Sequence, residues 1–141
     1  MIRAVFDTNV LISAALSRTG PPFKCLDLAK QGVVESVTCK EILDEFKQKM
    51  IEKFKRSTDQ ADDLVGDVLG YSQVASITGE LRAVEADPSD DKVVECAVVG
   101  GATHIVSGDS RHLLKLGRYR DIPIIKPAEF LALVEQDLPQ D

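Results

Sequence analysis

Acidic side chains recur in this chain at points where apolar segments end or helices begin. Asp7 follows the apolar run IRAVF, and the other acids of this kind are Glu45, Asp87, Asp90, Asp91 and Asp109. Carboxylates that converge repel one another unless a cation holds them, and hard oxygen ligands suit Mg²⁺ or Mn²⁺. This pattern is typical of metal-assisted hydrolysis of phosphodiesters.

Each acid also has a local role that the sequence leaves open. Asp7 is placed to cap the helix that follows it, and Asp87 precedes Pro88 as a helix N-cap would. Asp90 and Asp91 are placed to act as favourable charges at a helix N-terminus, and Asp109 is placed to cap the helix that follows it. Glu45 has Lys49 four residues further along the same predicted helix, where the two can form an ion pair. None of these roles explains why the acids recur at one end of the predicted sheet.

Strand-like and helix-like segments alternate along the chain. Apolar and β-branched runs predict strands at Ile2–Phe6, Val33–Thr38, Val74–Ile77, His104–Ser107 and Ile122–Ile125. Helical periodicity predicts helices at Asn9–Leu16, Phe23–Gln31, Asp59–Tyr71, Arg111–Leu116 and Pro127–Glu135. Two further helices are predicted after Asp87-Pro88 and after Thr38–Glu41, which matches a capping box. This alternation predicts an α/β fold, a three-layer α/β/α sandwich with a mainly parallel central sheet.

The bulk properties predict one domain over residues 1–141, with residues 136–141 frayed. No apolar stretch approaches the roughly 20 residues that span a bilayer, and the N-terminus lacks a signal-peptide pattern. We therefore expect a soluble, cytoplasmic protein with no membrane partner. Cys25, Cys39 and Cys96 lack ligand-like spacing, so we expect buried or half-buried free thiols.

The charge distribution contains two basic stretches in an acidic chain. The net charge of −6 argues against a general nucleic-acid-binding protein. The stretch Lys47–Arg56 is nevertheless basic apart from Glu52, and Arg111–Arg120 contains no acid. Such stretches can hold a polyanion locally, and the alternative is a pair of solvated helix faces.

Five segments follow one another along the chain: DTNVLISA, EILDEF, DPSDDKVVECA, ATHIVSGDSRHLLKL and IPIIKPAEFL. In order and spacing they resemble the PIN-domain family, and in particular the PIN-family toxins of toxin–antitoxin systems. The resemblance covers nearly the whole chain. It implies a compact α/β/α fold with a metal-dependent ribonuclease site.

The resemblance also implies roles for individual residues. The catalytic, metal-binding acids would be Asp7, Glu45, Asp90 and Asp109, with Asp87 and Asp91 as further candidate ligands. Asn9 would orient the first acid. Ser107 stands where the family more often has threonine, and either hydroxyl can hydrogen-bond a carboxylate.

The expected function is hydrolysis of single-stranded RNA by water that Mg²⁺ or Mn²⁺ activates. The candidate RNA contacts are Lys53, Lys55, Arg111 and Lys115. The resemblance further implies a homodimer and a small antitoxin protein as partner. Two alternatives remain: a PIN-fold protein that binds without cleaving, and a phosphatase of the haloacid-dehalogenase type. The phosphatase would need an acid two residues after Asp7, where this chain has Asn9.

Overall fold

A computed structural model describes residues 1–108 and 111–137. Within these residues the strands are β1 (Arg3–Phe6), β2 (Glu35–Thr38), β3 (Ser72–Val74), β4 (His104–Val106), β5 (Arg118–Tyr119) and β6 (Ile122–Ile125). The helices are α1 (Thr8–Leu16), α2 (Pro21–Lys30), α3 (Lys40–Glu52), α4 (Thr58–Gly70), α5 (Asp91–Val99), α6 (Leu113–Leu116) and α7 (Pro127–Asp137). A 3₁₀ turn, Pro88–Asp90, precedes α5. No helix among the described residues has both the length and the apolar character needed to cross a bilayer.

The strands form one sheet in the order β3-β2-β1-β4-β6-β5. All neighbours pair in parallel except β5 and β6, which are antiparallel. β1 lies near the middle, where Val5 pairs with Val37 of β2 and with Ile105 of β4. Because helices cover both faces of such a sheet, β1 is apolar after Arg3, and residues 4–6 are buried.

Contacts on the two faces of the sheet define the three layers. On one face the ring of Phe6 packs edge-on against Phe130 of α7, with 5.8 Å between ring centroids. On the other face Val37 lies against Gly100 at the end of α5, so closely that a Cβ built on Gly100 would lie 2.5 Å from Val37 Cγ1. The predicted α/β/α sandwich with a mainly parallel sheet is confirmed.

The element boundaries differ from the sequence prediction in a few places. The predicted capping box at Thr38–Glu41 is wrong: Thr38 ends β2, and Cys39 opens α3 without a side-chain cap. A capping box instead opens α4, where Ser57 and Gln60 bond reciprocally. The short strand β5 was not predicted, because two residues carry no periodicity. Cys25, Cys39 and Cys96 are buried free thiols, as predicted.

Two buried carboxylates of α5 fasten the coil segment that leads into the 3₁₀ turn. Glu95 accepts hydrogen bonds from the backbone N–H groups of Thr78, Gly79 and Leu81, at 2.6 to 3.3 Å. One turn earlier, Asp91 accepts from the N–H groups of Ala83 and Val84, at 2.9 and 2.8 Å. The acids hold the segment against α5 because its amides have no strand to pair with.

The substitution Glu95→Gln tests this fastening. Both carboxylate oxygens accept backbone N–H groups, so the amide of glutamine would point NH₂ hydrogens at donors. We expect a loss of about 1–3 kcal/mol in the free energy of unfolding, measured by urea denaturation. Exposed Glu85 lies in the same region, and Glu85→Gln is the matched control. Equal stability of the two variants would contradict a fastening role for Glu95.

Candidate active site

The candidate active site lies where the carboxyl ends of β1 and β4 meet. Strands β2 and β3 lie to one side of β1, whereas β6 and β5 lie beyond β4, so the strand order changes direction between these two strands. Crevices at such a switch point are the usual ligand sites of parallel sheets. A cavity of about 240 Å³ opens at this point.

All of the described residues that line this cavity are polar or charged. They come from the start of α1, from α3, from the 3₁₀ turn before α5 and from the segment before α6. In chain order they are Asp7, Asn9, Glu45, Lys49, Asp87, Ser89, Asp90, Arg111 and His112. A lining of this kind favours an ionic or strongly polar ligand over an apolar one.

Asp7 is held across the junction of β1 and β4. Its backbone N–H donates to the carbonyl of Val106 at 2.9 Å, and its carboxylate Oδ2 accepts from the hydroxyl of Ser107 at 2.9 Å. The side chain is only 4% exposed. Asp7 stands at the N-cap position of α1, yet its side chain makes no capping hydrogen bond. Helix capping therefore does not explain this carboxylate.

The environment of Asp7 disfavours its charged form. Burial raises the pKa of its carboxyl to about 6, and the negative charges of Asp90 and Glu45 add to that effect. Hydrogen bonds from Ser107 and from the Thr8 backbone oppose the rise without cancelling it. A carboxyl with this pKa gains a proton or a cation readily near neutral pH.

Glu45 faces the same cavity but has cationic partners. The ammonium of Lys92 lies 3.0 Å from Glu45 Oε2 and also donates to the carbonyl of Ser89, and the ammonium of Lys49 lies 3.9 Å from Oε1. Burial raises the pKa of Glu45, but the Thr8 hydroxyl and these lysines outweigh it, and the net pKa is lowered. The buried hydroxyl oxygen of Thr8 has no hydrogen-bond partner at normal distance among the described residues, so the two lysines are the contacts that hold the Glu45 carboxylate.

Lys92 was not among the predicted site residues. The sequence points to Lys49 as the partner of Glu45, because the two are four residues apart on α3. Lys92 is separated from Glu45 by 47 residues and reaches it from α5. No local spacing reveals such a contact, and only the packing of the two helices brings it about.

The three neighbouring acids before α5 divide between two places. Asp90 lines the cavity, and its charge acts on Asp7. Asp87 also lines the cavity while capping the 3₁₀ turn, accepting from the N–H and hydroxyl of Ser89 at 3.1 and 2.6 Å. These hydrogen bonds from Ser89 are the main reason that the pKa of Asp87 is lowered. Asp91 faces the coil segment instead, so the structure does not bring it to the cavity.

The remaining predicted residues of the acidic site are Asn9, Ser107 and Asp109. Asn9 lines the cavity, but within the described residues the hydrogen bond that orients Asp7 comes from Ser107 and not from Asn9. Asp109 lies outside the described residues, and its role stays a prediction.

The four predicted RNA contacts have different surroundings. Arg111 lines the cavity, and Lys53 lines a neighbouring one. Lys55 donates to the carbonyl of Glu52 at 3.0 Å and so binds the C-terminal end of α3. Lys115 is exposed on α6 and is not part of the cavity lining.

The donors present suit a hard divalent cation that keeps part of its water. Asp7, Glu45 and Asp90 offer carboxylate oxygens, and the raised pKa of Asp7 reflects its burial first and the negative charges of Asp90 and Glu45 second. Within residues 1–108 and 111–137, no three acid, histidine or cysteine side chains are grouped so that they could hold a metal ion together. Mg²⁺ is usually held by one or two carboxylates and several waters, so fewer than three protein ligands fit such an ion.

Comparison with protein families agrees with the fold. The family model of the PIN domain matches residues 3–111. This range includes every strand and helix that contributes Asp7, Glu45 or Asp90. A comparison with curated proteins found no match. The PIN domain is a nuclease-type fold, so the match does not support the haloacid-dehalogenase alternative.

The buried charge of Asp7 predicts a pH-dependent stability of the metal-free protein. The carboxyl ionises near pH 3.8 when exposed and near pH 6 in the folded chain, so the native state binds the proton more tightly. Stability therefore falls as the pH rises from about 4 to about 6 and stays low above that range. At pH 7.5 we expect Asp7→Asn to raise the free energy of unfolding by about 2–3 kcal/mol.

The measurement is urea unfolding in the presence of a chelator, followed by circular dichroism from pH 4 to pH 8. At pH 4 the variant and the parent should be nearly equally stable. Asp91→Asn is the matched control, since Asp91 lies away from the cavity and an asparagine oxygen can still accept from Ala83 and Val84. A stability difference for Asp7→Asn that is independent of pH would contradict this account.

Proposed function

The chain belongs to the PIN-domain family, and from that premise we propose that it is a metal-dependent ribonuclease that cleaves single-stranded RNA. The fold is of the nuclease type, and proteins of this family generally depend on divalent metals. Mg²⁺ or Mn²⁺ is the proposed cofactor, and the cytoplasm is the proposed compartment.

The observation that carries the proposal is the buried carboxylate of Asp7 in a polar cavity shared with Glu45 and Asp90. A protein that uses Asp7 only for folding gains nothing from a buried charge beside two other acids. A divalent cation would turn that repulsion into attraction. A bound cation therefore accounts for the grouping of these three acids.

Asp7 and Asp90 are the proposed metal ligands, and Glu45 is a third once Lys92 releases it. The resemblance adds Asp109, which lies outside the described residues. The chemistry that a bound divalent cation supplies in such a site is Lewis-acid activation of water and of the phosphodiester. Ser107 keeps the Asp7 carboxylate in one orientation through its hydroxyl, so the ligand is already in place when the substrate arrives.

The basic side chains that line the cavity are the proposed contacts to the substrate. Arg111 and Lys49 line the cavity with the acids and can neutralise the phosphates that flank the scissile bond. His112 lines it as well and can donate a hydrogen bond to RNA. In this proposal His112 is a substrate contact and not the general base, because a divalent cation held by the acids would itself supply the activation of water.

One contact favours the second candidate function, a PIN-fold protein that binds RNA without cleaving it. Lys92 neutralises Glu45 in the absence of metal, and a permanent ion pair there would leave one ligand fewer for a cation. The two functions differ in a direct way. The binding protein would retain RNA unchanged in the presence of Mn²⁺, and the ribonuclease would cut it.

The proposed partners other than RNA rest on the resemblance alone. They are a second copy of this chain in a homodimer and a small antitoxin protein. Light scattering at micromolar concentration tests the dimer. Suppression of the ribonuclease activity by the product of an adjacent small reading frame tests the antitoxin.

The proposed activity predicts cleavage of an end-labelled single-stranded RNA in Mn²⁺ that a chelator abolishes. Asp90→Asn should lower the rate by about a hundredfold or more, since a metal ion contributes several kcal/mol to the transition state. His112→Ala should lower it only modestly. The products should carry a 5′-phosphate and a 3′-hydroxyl, because water is the proposed nucleophile.

The control for Asp90 is its neighbour Asp91, which faces the backbone of Ala83 and Val84. Asp91→Asn should cleave at nearly the parental rate. Cleavage that persists in chelator would refute metal dependence. Ends bearing a 2′,3′-cyclic phosphate would identify the RNA 2′-hydroxyl as nucleophile and overturn the mechanism.

A further inference from the structure

A second cavity adjoins the acidic one and shares two of its residues. It has a volume of about 230 Å³ and, like the acidic cavity, is lined by Asn9 and Lys49. Other residues of its lining are Ser13 and Leu16 of α1, and Lys53 and Phe54 at the end of α3. The two cavities therefore adjoin at Asn9 and Lys49, and we refer to the pair, which lies along α1 and α3, as the groove.

The spacing of residues on both helices explains the direction of the groove. Glu45, Lys49 and Lys53 follow one another at intervals of four and lie on one face of α3. Asn9 and Ser13 have the same interval on α1, which packs against α3. From Glu45 to Lys53 the groove runs for about 12 Å, the rise of eight helical residues.

The charge of the groove changes along its length. Acids dominate at the Asp7 end, whereas the second cavity is lined by two lysines and by no carboxylate among the described residues. Lys53 is exposed and forms no ion pair in the described part of the chain, and Lys49 is 3.9 Å from its nearest acid. In a protein of net charge −6, a basic cavity beside an acidic one favours a ligand with several negative charges.

Phe54 gives the far end of the groove an aromatic surface. The side chain is half-buried, packing on the core with one part and lining the cavity with another. The ammonium of Lys53 lies 5.6 Å from the centroid of its ring. Aromatic faces beside cations are what proteins use to hold unpaired nucleotides, stacking the base and pairing the phosphate.

We infer that this groove binds the RNA segment next to the scissile phosphate, with Lys49 and Lys53 on phosphates and one base stacked on Phe54. The inference rests on the proposed ribonuclease function and adds a subsite to it. Stacking on Phe54 requires a base that is not paired with a complementary base. The subsite therefore makes the protein select single strands, which the carboxylates alone cannot do.

Tryptophan fluorescence gives a direct test, since the chain contains no tryptophan. In Phe54→Trp the single indole occupies the subsite, and a stacked base should quench its emission. The titration uses a short single-stranded oligoribonucleotide in chelator, so that no cleavage occurs. An oligomer of the same length without bases should not quench. The matched control is Phe23→Trp, another half-buried phenylalanine, which lines a cavity between other parts of α1, α2, α3 and α4.

Affinity measurements separate stacking from charge. Phe54→Leu keeps an apolar side chain on the core but removes the ring, and RNA binding should weaken about tenfold. Lys53→Ala should reduce the slope of log affinity against log salt by about 0.7. Lys47→Ala is the control, because Lys47 pairs with Asp62 at 2.6 Å outside the groove.

The outcomes distinguish this inference from the proposed function. If the parent cleaves RNA in Mn²⁺ but Phe54→Trp is not quenched and Phe54→Leu binds normally, the subsite is refuted and the ribonuclease stands. If RNA quenches Phe54→Trp but is never cleaved, the subsite stands and the ribonuclease is refuted. If the parent neither binds nor cleaves RNA, both are refuted. Quenching by the oligomer without bases would also refute stacking.

Discussion

The burial of the Asp7 carboxylate is the constraint from which the rest of the site follows. A charge at the end of a central strand is costly, and here two further acids increase that cost. Among the described residues Asp7 has no ion pair with a basic side chain, whereas Glu45 in the same cavity is paired with Lys92 and Lys49. Because the charge of Glu45 is already paired and that of Asp7 is not, a bound divalent cation would stabilise the Asp7 carboxylate more than the Glu45 carboxylate.

The architecture explains why the acids meet at this point. The order of strands changes direction between β1 and β4, so the chain diverges there and leaves a crevice above the strand ends. In that crevice the Ser107 hydroxyl donates a hydrogen bond to Asp7, and Asp90 lines it from the turn just before α5. The buried acids of α5, Asp91 and Glu95, have a different task, since they hold the preceding segment in place. Neighbouring carboxylates at the start of α5 and in the turn before it thus serve stability and the site separately.

The sequence was sufficient for the layers, the parallel sheet and most element positions, because strand and helix periodicities alternate clearly. It also pointed to Asp7, Glu45 and Asp90, which share a cavity. The resemblance preferred Asp90 to Asp91, but the local pattern alone does not separate them, because adjacent helical residues point about 100° apart and only packing decides which of them faces the cavity. The sequence missed Lys92, whose partner is on another helix. The binding of Lys55 to the end of α3 depends on local backbone geometry, including its positive φ of 58°, that composition does not reveal.

The central claim is that the cavity around Asp7 holds a divalent cation, and calorimetric titration with Mn²⁺ at pH 7 tests it most directly. The account predicts measurable binding by the parent chain, a loss of at least about tenfold in affinity for Asp7→Asn and Asp90→Asn, and parental affinity for Asp91→Asn. Binding also releases protons, because part of the Asp7 population is protonated near its pKa of about 6. Equal Mn²⁺ affinity of the parent, Asp7→Asn and Asp90→Asn would contradict the claim.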